Sequence, residues 1–297
     1  MEEKVLTIDT LLKEAADKTE VALNRYLTNE YAGDTVLADA MRYSVLGGGK
    51  RIRAFLVLTV AKLFGASEEA AMPFACAMEM VHAYSLIHDD LPCMDDDDLR
   101  RGKPSCHRKF DEATALLAGD TLLTYAFEVL ASNEYVSHRS IRYAVQTLAK
   151  EAGALGMAGG QTLDLANSVS GYKELRKIHM MKTSALIRAA CLLGYYAACD
   201  KPQKDDIMNL QLYAEAIGLA FQIHDDVLDV KSDTATLGKS IGSDEKNNKK
   251  TVLSFMTLAQ AEEEEALLTL LAVEAVSDYM ESDVLCKLAI WLLSRKK

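Results

Sequence analysis

Residues Ala70–Asp90 read AAMPFACAMEMVHAYSLIHDD, a nearly unbroken apolar run that ends in an acidic pair. Apolar side chains recur through it at helical spacing and cover most of the circumference, with no strand-like alternation. A helix apolar on most sides belongs inside a larger helical assembly. Working outward, the same pattern predicts helices over Ile52–Phe64, Asp111–Ala131, Ile141–Ala154, Met180–Cys199 and Lys204–Val230. The breaks between them are short: Leu46-Gly-Gly-Gly49, Pro92–Pro104, Gly159-Gly160 and Lys231–Lys250. None resembles a linker, so the expectation is an all-α protein with residues 1–297 in a single domain.

Composition supports that expectation. The 297 residues include only 4 Pro and 16 Gly, below the average usage of roughly 5% and 7%. Hydrophobic residues at 49% and charged residues at 26% are enough for a sizeable core. Lys and Arg number 33 against 44 Asp and Glu, a formal charge of −11, which argues against a nucleic-acid binder. None of the 6 cysteines forms a CxxC pair, so a zinc site or redox dithiol has no support. The N-terminus, MEEKVLTIDTLLKEAADKTE, lacks the apolar core of a signal peptide. No run of about 18 uninterrupted apolar residues occurs. These features predict a reduced, cytoplasmic protein with no membrane span.

The opening stretch has an echo. Ile87-His-Asp-Asp90 returns as Ile223-His-Asp-Asp226, 136 residues later, again at the end of a long apolar helix. Carboxylates at a helix C-terminus oppose the macrodipole unless something cationic sits beside them. In Asp225-Asp-Val-Leu-Asp229 the outer aspartates share one face, with Gln222 on the same stripe. A hard cation such as Mg²⁺, which prefers carboxylate oxygens, water and phosphate, would relieve their repulsion. The first motif runs on as LeuProCysMetAspAspAspAspLeuArgArgGly from Leu91 to Gly102. Pro92 should end the helix, so Asp89 and Asp95 would be brought together by a bend rather than by periodicity. Asp96, Asp97 and Asp98 read equally well as a solvated loop neutralised by nearby arginines. The segment fits no EF-hand loop.

Basic residues gather in the loops. Gly47-Gly-Gly-Lys-Arg-Ile-Arg53 puts flexible backbone ahead of cations at a helix start, where anions are already favoured. It is not a P-loop. Arg100 and Arg101, Lys182-Thr-Ser184 and the Lys239–Lys249 loop add phosphate-sized donors. Together these point to a polyphosphate held by metal on one side and by Arg and Lys on the other.

These motifs closely resemble the short-chain trans-prenyltransferases, or polyprenyl diphosphate synthases. The likeness runs through GGGKRIR, HAYSLIHDDLPCMDDDDLRRGKPSCH, GGQTLDL, KTSALI, FQIHDDVLD and GKSIGSDEKNNK. It implies an isoprenoid-synthase-type barrel of long helices around a central apolar cavity, commonly a homodimer. The implied reaction condenses isopentenyl diphosphate with dimethylallyl and then geranyl diphosphate, giving farnesyl diphosphate. By resemblance, Asp89, Asp95 and Asp225 are ligands of three Mg²⁺ ions. Arg100, Lys182, Gln222, Lys239 and Lys249 would contact the allylic diphosphate. Gly49, Lys50, Arg53, His82 and Arg101 would form the isopentenyl diphosphate pocket, and Thr183 with Gln222 would stabilise the developing cation.

Product length is a separate expectation. Periodicity at 100° per residue names Ser85 as the neighbour of Asp89's face, whereas the resemblance names Tyr84 as the pocket floor. Tyr84 also reads as an ordinary core aromatic, and His82 as a satisfied core histidine. Rival readings are the same chemistry with a geranyl or geranylgeranyl product, and a non-catalytic partner subunit, though such subunits typically lose the aspartate motifs. A terpene cyclase would carry an NSE/DTE-like second motif where this chain has DDVLD.

Overall fold

Helices begin where a short polar side chain can accept a free backbone N–H. Thr7, Thr35, Ser67, Asp111 and Thr257 each accept from the amide three residues on. The structure is a computed structural model describing residues 7–28, 33–166, 168–235 and 250–294, without the side chains of 232–235. In chain order the helices are α1 (Ile8–Tyr26), α2 (Val36–Val45), α3 (Ile52–Leu63), α4 (Glu68–Asp89), the short α5 (Cys106–Lys109) and α6 (Glu112–Ala131). There follow α7 (His138–Ala152), α8 (Met157–Leu165), α9 (Tyr172–His179), a π turn (Met180–Ser184), α10 (Ala185–Ala198), α11 (Lys204–Ala235), α12 (Leu258–Val276) and α13 (Asp283–Ser294). Among the described residues the only strands are β1 (Leu99–Arg100) and β2 (Lys103–Pro104), an antiparallel pair with Leu99 opposite Pro104. The chain is all-α, as its composition and periodicity indicate.

Two compact units are distinguished, one of Met1–Leu148 with Leu192–Pro202, the other of Ala149–Cys191 with Gln203–Lys297. In the first, α4 packs on α3 and α6, and α1 lies on α3 and α4. Leu56, Val57, Val60, Phe74, Met78, Met80, Leu122 and Leu130 are fully buried there, each large side chain contributing roughly 1.5–3 kcal/mol. In the second, α11 packs on α12, α13 and the π turn. Tyr213 is fully buried and donates its hydroxyl to the Leu285 carbonyl at 2.9 Å, so its polar end is satisfied.

One expected break is absent, since Gly159 and Gly160 lie inside α8. A Cβ on Gly160 would sit 2.4 Å from the Lys182 amide nitrogen, so this glycine serves close packing rather than a turn. The chain turns just ahead of it, where the Gly156 amide bonds the Gly153 carbonyl at 3.0 Å. At Lys231 the helix also continues, through to Ala235. By length and composition α4 and α6 could cross a membrane, and 83% and 44% of their most apolar windows are buried in the protein.

Candidate active site

The start of α3 has no capping side chain of its own, and the chain enters it through positive φ at Gly48 (80°), Gly49 (119°) and Arg51 (49°). Arg51 turns inward, its side chain 3% exposed, donating to Glu79 at 3.1 Å, to Glu20 at 2.9 Å and to the Val45 carbonyl. Arg53, two residues on, places Nη1 3.3 Å from His82 Nε2. Burial, then Arg53, Arg101, Arg51 and Arg100, hold the His82 pKa well below its ordinary value. His82 is therefore neutral near pH 7, with Nε2 accepting from Arg53 and the proton on Nδ1.

Arg101 completes this group from the β-hairpin. Its backbone is left-handed (φ 55°), and its Nη1 donates to the Gly48 carbonyl. A Cβ on Gly49 would lie 2.9 Å from its guanidinium carbon. The GGGKRIR and RRG motifs, about fifty residues apart, thus meet, with Lys50 exposed beside them. Burial, with Arg101 adding to it, lowers the Arg53 pKa, and burial with Arg51 lowers that of Arg101. Guanidiniums gathered in this way attract an anion. Next to them a cleft of about 50 Å³ is walled by Tyr43, Ala83, Leu86 and Ile87.

At the end of α4 the chain folds back. The Asp95 amide bonds the Asp89 carbonyl at 2.9 Å and the Asp96 amide bonds the Leu91 carbonyl at 3.2 Å. Asp89 and Asp95 are joined by this bend around Pro92. Asp96 and Asp98 pair with Arg108, and Asp97 with Arg100, so these three form an arginine-neutralised loop. Arg100 also grips buried Asp90 through Nε at 2.9 Å and through Nη2. Burial raises the Asp90 pKa, and the Arg100 guanidinium works against that rise. Tyr84 is 9% exposed, its ring edge-on to His88 at 5.6 Å. Ser85 is spent on its own helix, donating to the His82 carbonyl at 2.9 Å.

The second unit holds the remaining expected residues. Lys182 and Thr183 lie in the π turn, an irregularity that recurs at functional sites. Gly160 on one side and Gly218 on the other leave room for it, and a Cβ on Gly218 would be 2.3 Å from Ser184 Oγ. Lys182 Nζ bonds Asp164 at 2.7 Å, and Thr183 donates its hydroxyl to Gln222 Oε1 at 3.1 Å. Gln222, Asp225 and Asp229 follow one another along α11. The neighbouring Asp226 accepts the Val252 amide at 2.7 Å, and His224 Nδ1 lies 2.6 Å from Glu265. Lys239 and Lys249 lie outside the described residues.

Carboxylates are the donors a hard cation takes, and Mg²⁺ commonly uses one or two of them with water and substrate phosphate. Asp89, Asp95 and Asp225 suit that chemistry. Among the described residues no three His, Cys, Asp or Glu side chains form a ready-made metal cage.

Sequence reasoning gave no role to four residues here, three of them inside the quoted motifs GGGKRIR and GGQTLDL. Asp164 orients Lys182 and Glu79 holds Arg51, but each acts on another element, which periodicity does not reveal. Arg51 sits between two expected phosphate ligands yet faces away from them. Gln161 is 7% exposed, and neither atom of its amide has a hydrogen-bond partner among the described residues. The double glycine before Gln161 was the available signal.

An all-helical chain that joins a guanidinium pocket to an acidic helix end has the equipment of a diphosphate-handling protein. The profile of the polyprenyl synthetase family matches residues 34–284, and the chain belongs to that family. It is 40% identical over 95% of its length to the farnesyl diphosphate synthase of Haemophilus influenzae, covering 98% of that protein. It is 46% identical over 84% of its length to the farnesyl diphosphate synthase of Escherichia coli, covering 85% of that one. Among solved structures, an FPP/GFPP synthase from Zymomonas mobilis superposes with a TM-score of 0.85 at 34% identity, over 96% of this chain and 98% of that one.

Proposed function

We propose that the protein is a Mg²⁺-dependent prenyltransferase that joins isopentenyl diphosphate to dimethylallyl and then geranyl diphosphate, releasing farnesyl diphosphate. The observation that carries this reading is the neutral His82 amid Arg53 and Arg101 against the Gly48–Gly49 backbone, two guanidiniums gathered at one glycine-rich loop. Farnesyl diphosphate synthases among the relatives support it. The family profile spans both units, which supports one catalytic domain over residues 1–297.

In the reaction the allylic C–O bond breaks, the diphosphate departs with the electron pair, and the isopentenyl alkene attacks the resulting cation. A proton then leaves the new chain, and the released diphosphate can take it. Asp89, Asp95 and Asp225 would hold Mg²⁺, three ions in this reading, which would supply Lewis-acid stabilisation of the leaving diphosphate. Arg100, Lys182, Lys239 and Lys249 add fixed positive charge to it. Thr183 donates its hydroxyl hydrogen bond to Gln222 Oε1, so the Thr183 oxygen can turn its lone pairs to a cationic carbon. Gly49, Lys50, Arg53, His82 and Arg101 hold the isopentenyl diphosphate, whose alkene must be close and dry, since water would capture the cation.

The reading includes a cytoplasmic homodimer. Leu116 and Leu117 on α6, 47% and 54% exposed, are apolar surface that a second copy would cover. Incubation of purified protein with isopentenyl and geranyl diphosphates, with and without Mg²⁺, followed by product mass measurement, tests the activity. A farnesyl product formed only with Mg²⁺ is expected, and no condensation product in any arm would refute the reading.

A further inference from the structure

Glu79 is a carboxylate in the middle of a long, largely buried apolar helix, and is 1% exposed. A buried charge is costly unless it is paired and hydrogen-bonded, and Glu79 is both. Oε2 accepts from Arg51 Nη1 at 3.1 Å, and Oε1 accepts the Ala54 amide at 3.1 Å. Ala54 is the third residue of α3, whose first turn has no side-chain cap of its own. The anion that caps α3 is thus delivered by another helix, where the macrodipole favours negative charge. Arg51, meanwhile, is locked in a left-handed backbone conformation with its guanidinium also on Glu20 of α1 and the Val45 carbonyl.

Three residues after Glu79, on the same stripe of α4, stands His82, and it meets Arg53. The start of α3 is therefore clamped to α4 at two successive points, Glu79 on Arg51 and Ala54, His82 on Arg53. The clamp turns Arg51 away from the pocket and, by fixing the chain on both sides of it, sets where Lys50 and Arg53 stand.

We propose that Glu79 is a positioning residue for the isopentenyl diphosphate pocket, acting through Arg51 and the capped first turn of α3 without touching substrate. This rests on the reading of the chain as a prenyltransferase. The capping hydrogen bond and the ion pair are separable: Glu79→Gln keeps an oxygen for the Ala54 amide but removes the charge that holds Arg51. A double variant, Arg51→Met with Glu79→Leu, removes the Glu79–Arg51 point of the clamp with both of its charges, and leaves the His82–Arg53 point in place.

The test measures both Michaelis constants and calorimetric binding of isopentenyl diphosphate in wild type, Glu79→Gln and the double variant. We expect KM and Kd for isopentenyl diphosphate to rise about tenfold or more in both variants, with KM for geranyl diphosphate essentially unchanged. A uniform loss in kcat with both KM values unchanged, or equal rises in both, overturns the proposal. If Glu79→Gln fails to fold, the double variant decides by the same criterion. A wild-type protein that binds no isopentenyl diphosphate defeats the functional reading and this proposal with it. Wild-type condensation with unaltered variants defeats this proposal alone.

Discussion

Arg101 lies against the backbone of Gly49. Its Nη1 donates to the Gly48 carbonyl, and its guanidinium carbon occupies space 2.9 Å from where a Gly49 Cβ would be. Gly49 also sits at φ 119°, a conformation L side chains avoid. Gly49→Ala therefore strains the loop and displaces Arg101. The expected outcome is a loss of about 1–3 kcal/mol in urea unfolding, with KM for isopentenyl diphosphate rising more than KM for geranyl diphosphate. Equal effects on both substrates would remove Arg101 from the isopentenyl pocket.

The carboxylates at the two acidic motifs are assigned to metal. Asp89→Ala and Asp225→Ala should each lower turnover by about 100-fold or more, comparable to or beyond the loss of one preorganised electrostatic group. Circular dichroism should show the helical fold intact. Near-normal rates in either variant would refute the assignment for that residue.

Tyr84 packs on His88, and His88 fits only because Gly119 has no side chain, since a Cβ there would be 2.1 Å from the imidazole Nε2. If Tyr84 floors the prenyl pocket, Tyr84→Ala should lengthen the product, read by mass spectrometry. Ser85→Ala, which removes only a hydroxyl bonded within its own helix, should leave the product distribution as it was. An unchanged distribution in Tyr84→Ala would make Tyr84 a packing residue, at a stability cost of about 3–5 kcal/mol in either case.

Two histidines make stability depend on pH. Burial lowers the pKa of His179 to about 4, and burial with four arginines holds that of His82 well below its usual value. In the unfolded chain both titrate near about 6.5. Below that pH the unfolded state binds more protons, so stability is full above it and falls as pH drops towards the folded values. Each histidine contributes a slope approaching about 1.4 kcal/mol per pH unit. Denaturation midpoints between pH 7 and pH 5 check this, and the His82→Gln/His179→Gln double variant should show a shallower decline.

Among the described residues, the two buried polar atoms of the Gln161 amide have no hydrogen-bond partner. Each such atom is a desolvation cost with no return, so Gln161→Leu should stabilise the protein by about 1 kcal/mol or more. Thermal unfolding without ligand reads this directly. A lower melting temperature would mean that the amide is satisfied in solution.

Much of this molecule was legible along the chain. Apolar periodicity sufficed for the long helices, and Pro92 for the bend that joins Asp89 to Asp95. The acidic loop behaved as its own arginines suggested, with Asp96, Asp97 and Asp98 paired to Arg108 and Arg100. Gly159-Gly160 was misread as a turn because a glycine tolerated for close packing and one needed for positive φ look alike in sequence.

Helix formation and chain reversal depend on dihedral preferences and side-chain spacing within a few residues, so the amino-acid order alone determined the all-helical class and the acidic end of α4. The second acidic motif, expected at a helix end, lies instead inside α11, which runs on to Ala235 because no residue after Asp226 breaks the helix there. Which cation is consumed inside and which is not depended on tertiary structure. Lys50, Arg51 and Arg53 are indistinguishable as a basic run, yet Arg51 is buried on Glu79 and Glu20 while Arg53 meets His82. That division exists only after α1, α3 and α4 have packed, because a charge is buried only where distant segments bring it a partner.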